Sequence, residues 1–68
     1  MKVELNGREA ELPNGARLAD VLALLELDRE ARGVAVALDA EVIPRGEWGE
    51  LVISPGARIE VLTAFQGG

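Results

Sequence analysis

Sixty-eight residues without a cysteine or a histidine make one small domain, and exclude disulfide staples, zinc clusters and thiol or imidazole catalysis. A net charge of −5, with seven basic residues scattered singly along the chain, excludes nucleic acid as a partner, because phosphate binding needs clustered Lys and Arg. The 49% hydrophobic content is enough for an aliphatic core, yet no run resembles a secretory leader or a membrane span, so a soluble cytoplasmic protein is expected.

The chain opens with "KVELNGREAEL", two alternating runs around Asn6-Gly7. Both turn residues tolerate the positive φ of a type I′ turn, which predicts a two-residue hairpin. Leu5 then faces Arg8, Val3 faces Ala10 and Met1 faces Leu12. Met1, Val3, Leu5, Ala10 and Leu12 share one face, and Lys2, Glu4, Glu9 and Glu11 share the other. Lys2 against Glu11 is favourable, whereas Glu4 against Glu9 is not. Pro13-Asn14-Gly15 turns the chain into "RLADVLALLEL", where Leu18, Val21, Leu22 and Leu25 form one stripe at helical spacing. The spacing predicts a helix over about 18–26. No Ser, Thr, Asp or Asn stands near Arg17 to cap it, and Asp20 compensates in part through its charge against the helix dipole. "DREARG" closes the helix and reverses the chain at Gly33.

"VAVALDAEVIP" predicts a strand from Val34 to Leu38, a tight reversal at Asp39-Ala40 and a short return ended by Pro44. "RGEWGE" predicts a compact loop pinned by Trp48, the sole Trp. That ring has two readings, an interface anchor or a plug sealing a small core; the flanking Gly46 and Gly49 favour the plug, with backbone folded around the ring. "SPGA" carries the Pro-Gly pattern of a type II turn, in which Ser54 stabilises the turn. It launches the last strand, "RIEVLTAF".

The order β-β-α-β-(β)-β, with a single helix to cover one face, predicts the α+β class. With the first strand central and the last beside it in parallel, the architecture is a β-grasp, ubiquitin-like mixed sheet with one main helix packed on one face. Residues 1–65 make the domain and 66–68 a flexible tail. If Ile59 and Val61 face the helix, Leu62 and Ala64 point to the open face. They are either ordinary scattered apolar residues or, with Phe65, a partner-docking patch in front of the tail. The twelve carboxylates read as solvated surface charge, and no glycine-rich loop has phosphate-binding spacing. Catalysis by the isolated chain, a bound cofactor and a metal site are therefore not expected.

The chain ends "LTAFQGG". Gln66, Gly67 and Gly68 reach at most about 10 Å past the last strand, so any enzyme acting on the end must hold the domain close. Glycines pass through a channel too narrow for other residues. The Gly68 carboxylate is a poor electrophile, but coupling to ATP would give an acyl-adenylate. A sulfur donor could displace AMP from it to leave a thiocarboxylate.

Together the hairpin, "ALDAEVIPRGEW" with its Pro44-Arg45 and Trp48 spacing, "SPGARIEVL" and the terminal "GG" resemble the ThiS-type sulfur carriers of thiamine biosynthesis over essentially the whole chain. The resemblance implies that Gly68 is adenylated by an ATP-dependent ThiF-type activating enzyme and thiolated with sulfur from a donor such as a cysteine desulfurase. A ThiG-type thiazole synthase would then take the sulfur to build a thiazole phosphate from a deoxyxylulose phosphate and a glycine-derived imine. Two positions depart from the family pattern: Arg17 stands where a capping Thr is frequent, and Gln66 where small residues are. Related alternatives are carriers for molybdopterin, whose Pro-rich approach to the diglycine "TAFQGG" lacks, or for tRNA thiolation. A ubiquitin-like protein modifier and a plain interaction domain complete the set.

Overall fold

The computed structural model describes residues 1–28 and 32–64. Strands β1 (Lys2–Leu5) and β2 (Arg8–Glu11) pair antiparallel with Lys2 opposite Glu11, Val3 opposite Ala10 and Leu5 opposite Arg8. This is the register a two-residue loop imposes. Asn6 and Gly7 take φ of 50° and 80°, and the Leu12 N–H donates to the Met1 carbonyl at 2.9 Å, extending the ladder. Glu4 escapes its like-charged neighbour by turning its carboxylate to Arg58, 3.4 Å away.

Helix α1 runs from Leu18 to Leu24, two residues shorter than its apolar spacing suggests. Glu26 adopts φ 58°. Its N–H donates to the Ala23 carbonyl at 3.0 Å, and that of Leu27 reaches back to Leu22 at 2.8 Å. These are the two bonds of a Schellman motif, with Glu where Gly is usual. The early stop swings Leu25 out to 37% exposure, and Leu27 packs against the core in its place.

The other end of the helix is completed by a distant segment. Leu18 N–H donates to the Leu51 carbonyl at 3.3 Å and Ala19 N–H to that of Trp48 at 2.9 Å. The Asp20 carboxylate accepts the Arg17 N–H at 2.8 Å, so it acts by hydrogen bonding as well as by charge. Two amides left without partners at a helix start are thus satisfied by a loop some thirty residues downstream.

Strands β3 (Val34–Leu38) and β4 (Glu41–Ile43) form the second hairpin. Asp39 and Ala40 make its turn at φ 50° and 71°. Ala40 bears roughly 1 kcal/mol of strain that a glycine would not. Asp39 earns its place through bonds to β5 (Arg58–Thr63): its N–H donates to the Arg58 carbonyl at 2.8 Å, and its Oδ1 accepts the Arg58 N–H at 2.9 Å.

Between β4 and β5, a 3₁₀ turn over Arg45–Glu47 presents Trp48 inward. The ring is 2% exposed, its Nε1–H donates to the Ile43 carbonyl at 2.9 Å, and the Arg45 guanidinium lies 4.7 Å from its centroid. The plug reading holds. Close approach does not require the glycine at position 46, where an added Cβ meets nothing within 4 Å. The "SPGA" turn is as expected, with Gly56 at φ 81° and Ala57 N–H donating to the Ser54 carbonyl at 3.2 Å.

The five strands form one mixed sheet in the order β2-β1-β5-β3-β4. β1 and β5 lie parallel at its centre, and β5 runs antiparallel to β3. Helix α1 covers one face. Its buried Leu18, Val21 and Leu22 meet Val3, Val36, Ile59 and Val61 from the strands, with Leu12, Ile43, Trp48 and Ile53 closing the sides. The crossover from the first hairpin to the parallel β5 passes through this helix, as the chain order predicts.

Candidate functional site

With the helix on one face, the other face of the sheet stays open. Strand alternation places Glu4, Glu9 and Arg58 there on one half. A shallow depression of about 230 Å³ lies on this half, lined by Lys2, Val3, Glu4, Glu9 and Gly56, smaller than an ordinary small-molecule cleft. The other half is mainly apolar, with the exposed Glu60 of β5 standing on it opposite Ala37. Leu62 of β5 is 67% exposed and Val42 of β4 is 72% exposed. Leu62 sits opposite Ala35 and Val42 opposite Ala37. The two small alanines leave Leu62 and Val42 standing proud of the sheet beside Glu60, on the half that leads toward the end of β5.

Of the residues expected to dock a partner, Leu62 and Ala64 are exposed, while Ile59 and Val61 are buried against the helix as expected. β5 ends at Thr63, two residues before the apolar run does. Ala64 N–H donates to the Gly33 carbonyl at 2.7 Å. Phe65, Gln66, Gly67 and Gly68 lie outside the described residues, and with them the expected domain boundary and the expected reactive terminus. Val42, Ala35 and Ala37 were not singled out from sequence. The signal was present in "VAVAL", whose period-two alternation puts its alanines opposite its large residues, but only the register with β5 and β4 brings them beside Leu62.

Among the described residues, no group of His, Cys, Asp or Glu could hold a metal ion, and no helix is long and apolar enough to cross a membrane. No buried side-chain polar atom among them lacks a partner.

The strand order, the parallel central pair and the single covering helix define a β-grasp protein of the ubiquitin-like kind. Comparison with known proteins narrows this class. The ThiS family model matches residues 3–68, and the chain belongs to that family. A curated relative, the sulfur carrier protein ThiS of Escherichia coli strain K12, is 24% identical over 68 residues, covering all of both chains. The crystal structure of a thiamine biosynthesis protein (ThiS) from Geobacter metallireducens superposes with a TM-score of 0.80 at 24% identity over the whole of both chains. A solution structure of a thiamine biosynthesis protein from the same organism gives 0.81 at 24% identity, covering all of this chain and 88% of that one.

Proposed function

We propose that this chain is a cytoplasmic sulfur carrier for thiamine biosynthesis, and that its reactive group is the main-chain carboxylate of Gly68. The observation that carries the proposal is a family match running through the diglycine to residue 68, together with a full-length relative whose name is sulfur carrier protein. The scarcity of alternative chemistry supports it: without His or Cys, the side chains offer no ready nucleophile or neutral-pH base.

The chemistry runs in two displacements on a partner enzyme of the ThiF type. A carboxylate oxygen of Gly68 attacks the α-phosphorus of ATP and pyrophosphate leaves, giving an acyl-adenylate. A sulfur nucleophile at the oxidation level of sulfide then attacks the carbonyl carbon, and AMP leaves with the bonding pair. A persulfide donor, such as that of a cysteine desulfurase, first gives an acyl disulfide, which one further thiol cleaves to the thiocarboxylate. The carrier binds no cofactor in this scheme; ATP belongs to the activating enzyme. A ThiG-type thiazole synthase is the acceptor.

Gly67 and Gly68 allow the end to enter a narrow channel, with Gln66 at its mouth. Leu62, Ala64 and Phe65 dock the partner, and Val42 and Ala35 widen that patch. From Ala64, the last residue with a described backbone bond, four more residues span at most about 14 Å. The docking surface must therefore lie close to the root of the tail, where the apolar half of the open face is.

The direct test is incubation with the activating enzyme, ATP and a sulfur donor, followed by alkylation of the thioacid. Intact mass alone does not suffice, since replacing oxygen by sulfur has the nominal mass of a methionine oxidation. A trapped thioacid on Gly68 is expected. Recovery of an isopeptide instead would make the chain a protein modifier, and an unchanged acid would end the carrier proposal. In the same assay Leu62→Glu is expected to raise the KM for the carrier at least about tenfold by placing a charge in an apolar contact, with the melting temperature unchanged. A melting temperature lowered by many degrees would show Leu62 to be structural.

A further inference from the structure

Strands β3 and β5 pair from Val34–Thr63 to Leu38–Ile59, and the same register continues one pair beyond each end. At the turn end Asp39 and Arg58 share two bonds. At the tail end the Gly33 carbonyl accepts the Ala64 N–H at 2.7 Å. Thr63 and Ala64 are both exposed, and Val61 is the last buried residue of β5. Side-chain packing therefore does little to hold Ala64, and the backbone bond to Gly33 is its described anchor.

Gly33 suits this position for two separate reasons. Its φ of +72° is one that a side chain resists, and a Cβ there would lie 2.9 Å from the Ala64 carbonyl oxygen, inside contact distance. Gly7, Gly15 and Gly56 share the positive φ, but a Cβ on any of them meets nothing within 4 Å. Of these four, only Gly33 couples its lack of a side chain to the root of the tail.

We propose that Gly33 is a positioning residue for the tail: by closing the last described rung of the sheet on Ala64, it fixes the point from which residues 65–68 set out toward the activating enzyme. This rests on the carrier reading of Gly68. Releasing the rung moves the last described anchor back along β5 and spreads the positions open to the carboxylate, which lowers its effective concentration at a fixed reaction centre. A displacement of about 1 Å at a reacting group can cost on the order of a hundredfold in rate.

The test is adenylate formation by a ThiF-type enzyme on the unaltered chain, on Gly33→Ala and on Gly15→Ala, the last imposing similar φ strain in open space away from the tail. The carrier is the substrate, so partial unfolding raises apparent KM and leaves kcat at saturation unchanged. Mispresentation of the tail lowers kcat. Gly33→Ala is expected to lose at least about tenfold in kcat, and Gly15→Ala to keep it. Equal kcat for Gly33→Ala and the unaltered chain, or an equal loss in both variants, overturns the role of Gly33 alone. Absence of turnover with the unaltered chain overturns the carrier reading and this role with it. Should Gly33→Ala fail to fold, hydrogen exchange at the Ala64 amide of the unaltered protein decides: protection of about tenfold or more over an unstructured peptide supports the rung, and exchange at the unstructured rate overturns it.

Discussion

Removing Gly68 is expected to abolish thiocarboxylate formation, by at least about a thousandfold, while leaving the fold untouched. The shortened chain still ends in a glycine carboxylate of the same intrinsic reactivity. Under the carrier proposal, that carboxylate is withdrawn by one residue, about 3.5 Å, from a reaction centre whose distance would be set by docking of the sheet. Near-attack geometry tolerates far less than this. On the structural side, the described core ends at Val61 and the last described backbone bond is made by Ala64. Thermal melts of the two chains should coincide within about 1 °C. Retained thiolation of the shortened chain would show that the enzyme does not measure the position of the end, and a large drop in melting temperature would show that Gly68 belongs to the fold.

Trp48→Ala carries the largest expected effect on stability, about 3–5 kcal/mol. The indole is 2% exposed, and its removal leaves a cavity in a core built from few residues. It also deprives the Ile43 carbonyl of its donor, takes away the surface under Arg45, and loosens the loop whose Trp48 and Leu51 carbonyls hold the first amides of α1. At roughly 0.05–0.15 kcal/mol per residue, a domain of this length has only about 3–10 kcal/mol in total. Denaturant melts followed by circular dichroism should show a loss of about 3–5 kcal/mol, a large share of the total, and Trp48→Phe a milder one. A Trp48→Ala protein melting within a few degrees of the unaltered one would mean that the ring merely covers the core.

The parts of the fold that could be anticipated are those decided by neighbours in the chain. Asn6-Gly7 sets the first hairpin and its register because a two-residue I′ turn leaves no other pairing. Pro55-Gly56 sets the turn into β5 for the same kind of reason, and Leu18, Val21 and Leu22 reveal the buried side of α1 by their spacing. The start of α1 at Leu18 was legible, but its stop and the groups that complete its first turn were not. The C-terminus stops at Glu26 in a left-handed conformation that its residue type does not advertise. The N-terminus is completed by carbonyls of Trp48 and Leu51, which no local motif announces. The apolar half of the open face was only half visible: Leu62 and Ala64 follow from strand alternation, whereas Val42 and Ala35 join them through cross-strand pairing.

The amino-acid sequence by itself determined the turns, the strand faces, the lack of His and Cys and the diglycine with its possible chemistry, since each depends on residue type or short-range spacing. Only the tertiary structure decided where the helix stops and what completes its first turn, which aliphatic groups gather beside Leu62, and that Gly33 closes on Ala64. Those outcomes depend on contacts between segments thirty or so residues apart, whose register is chosen by the packing of the whole core.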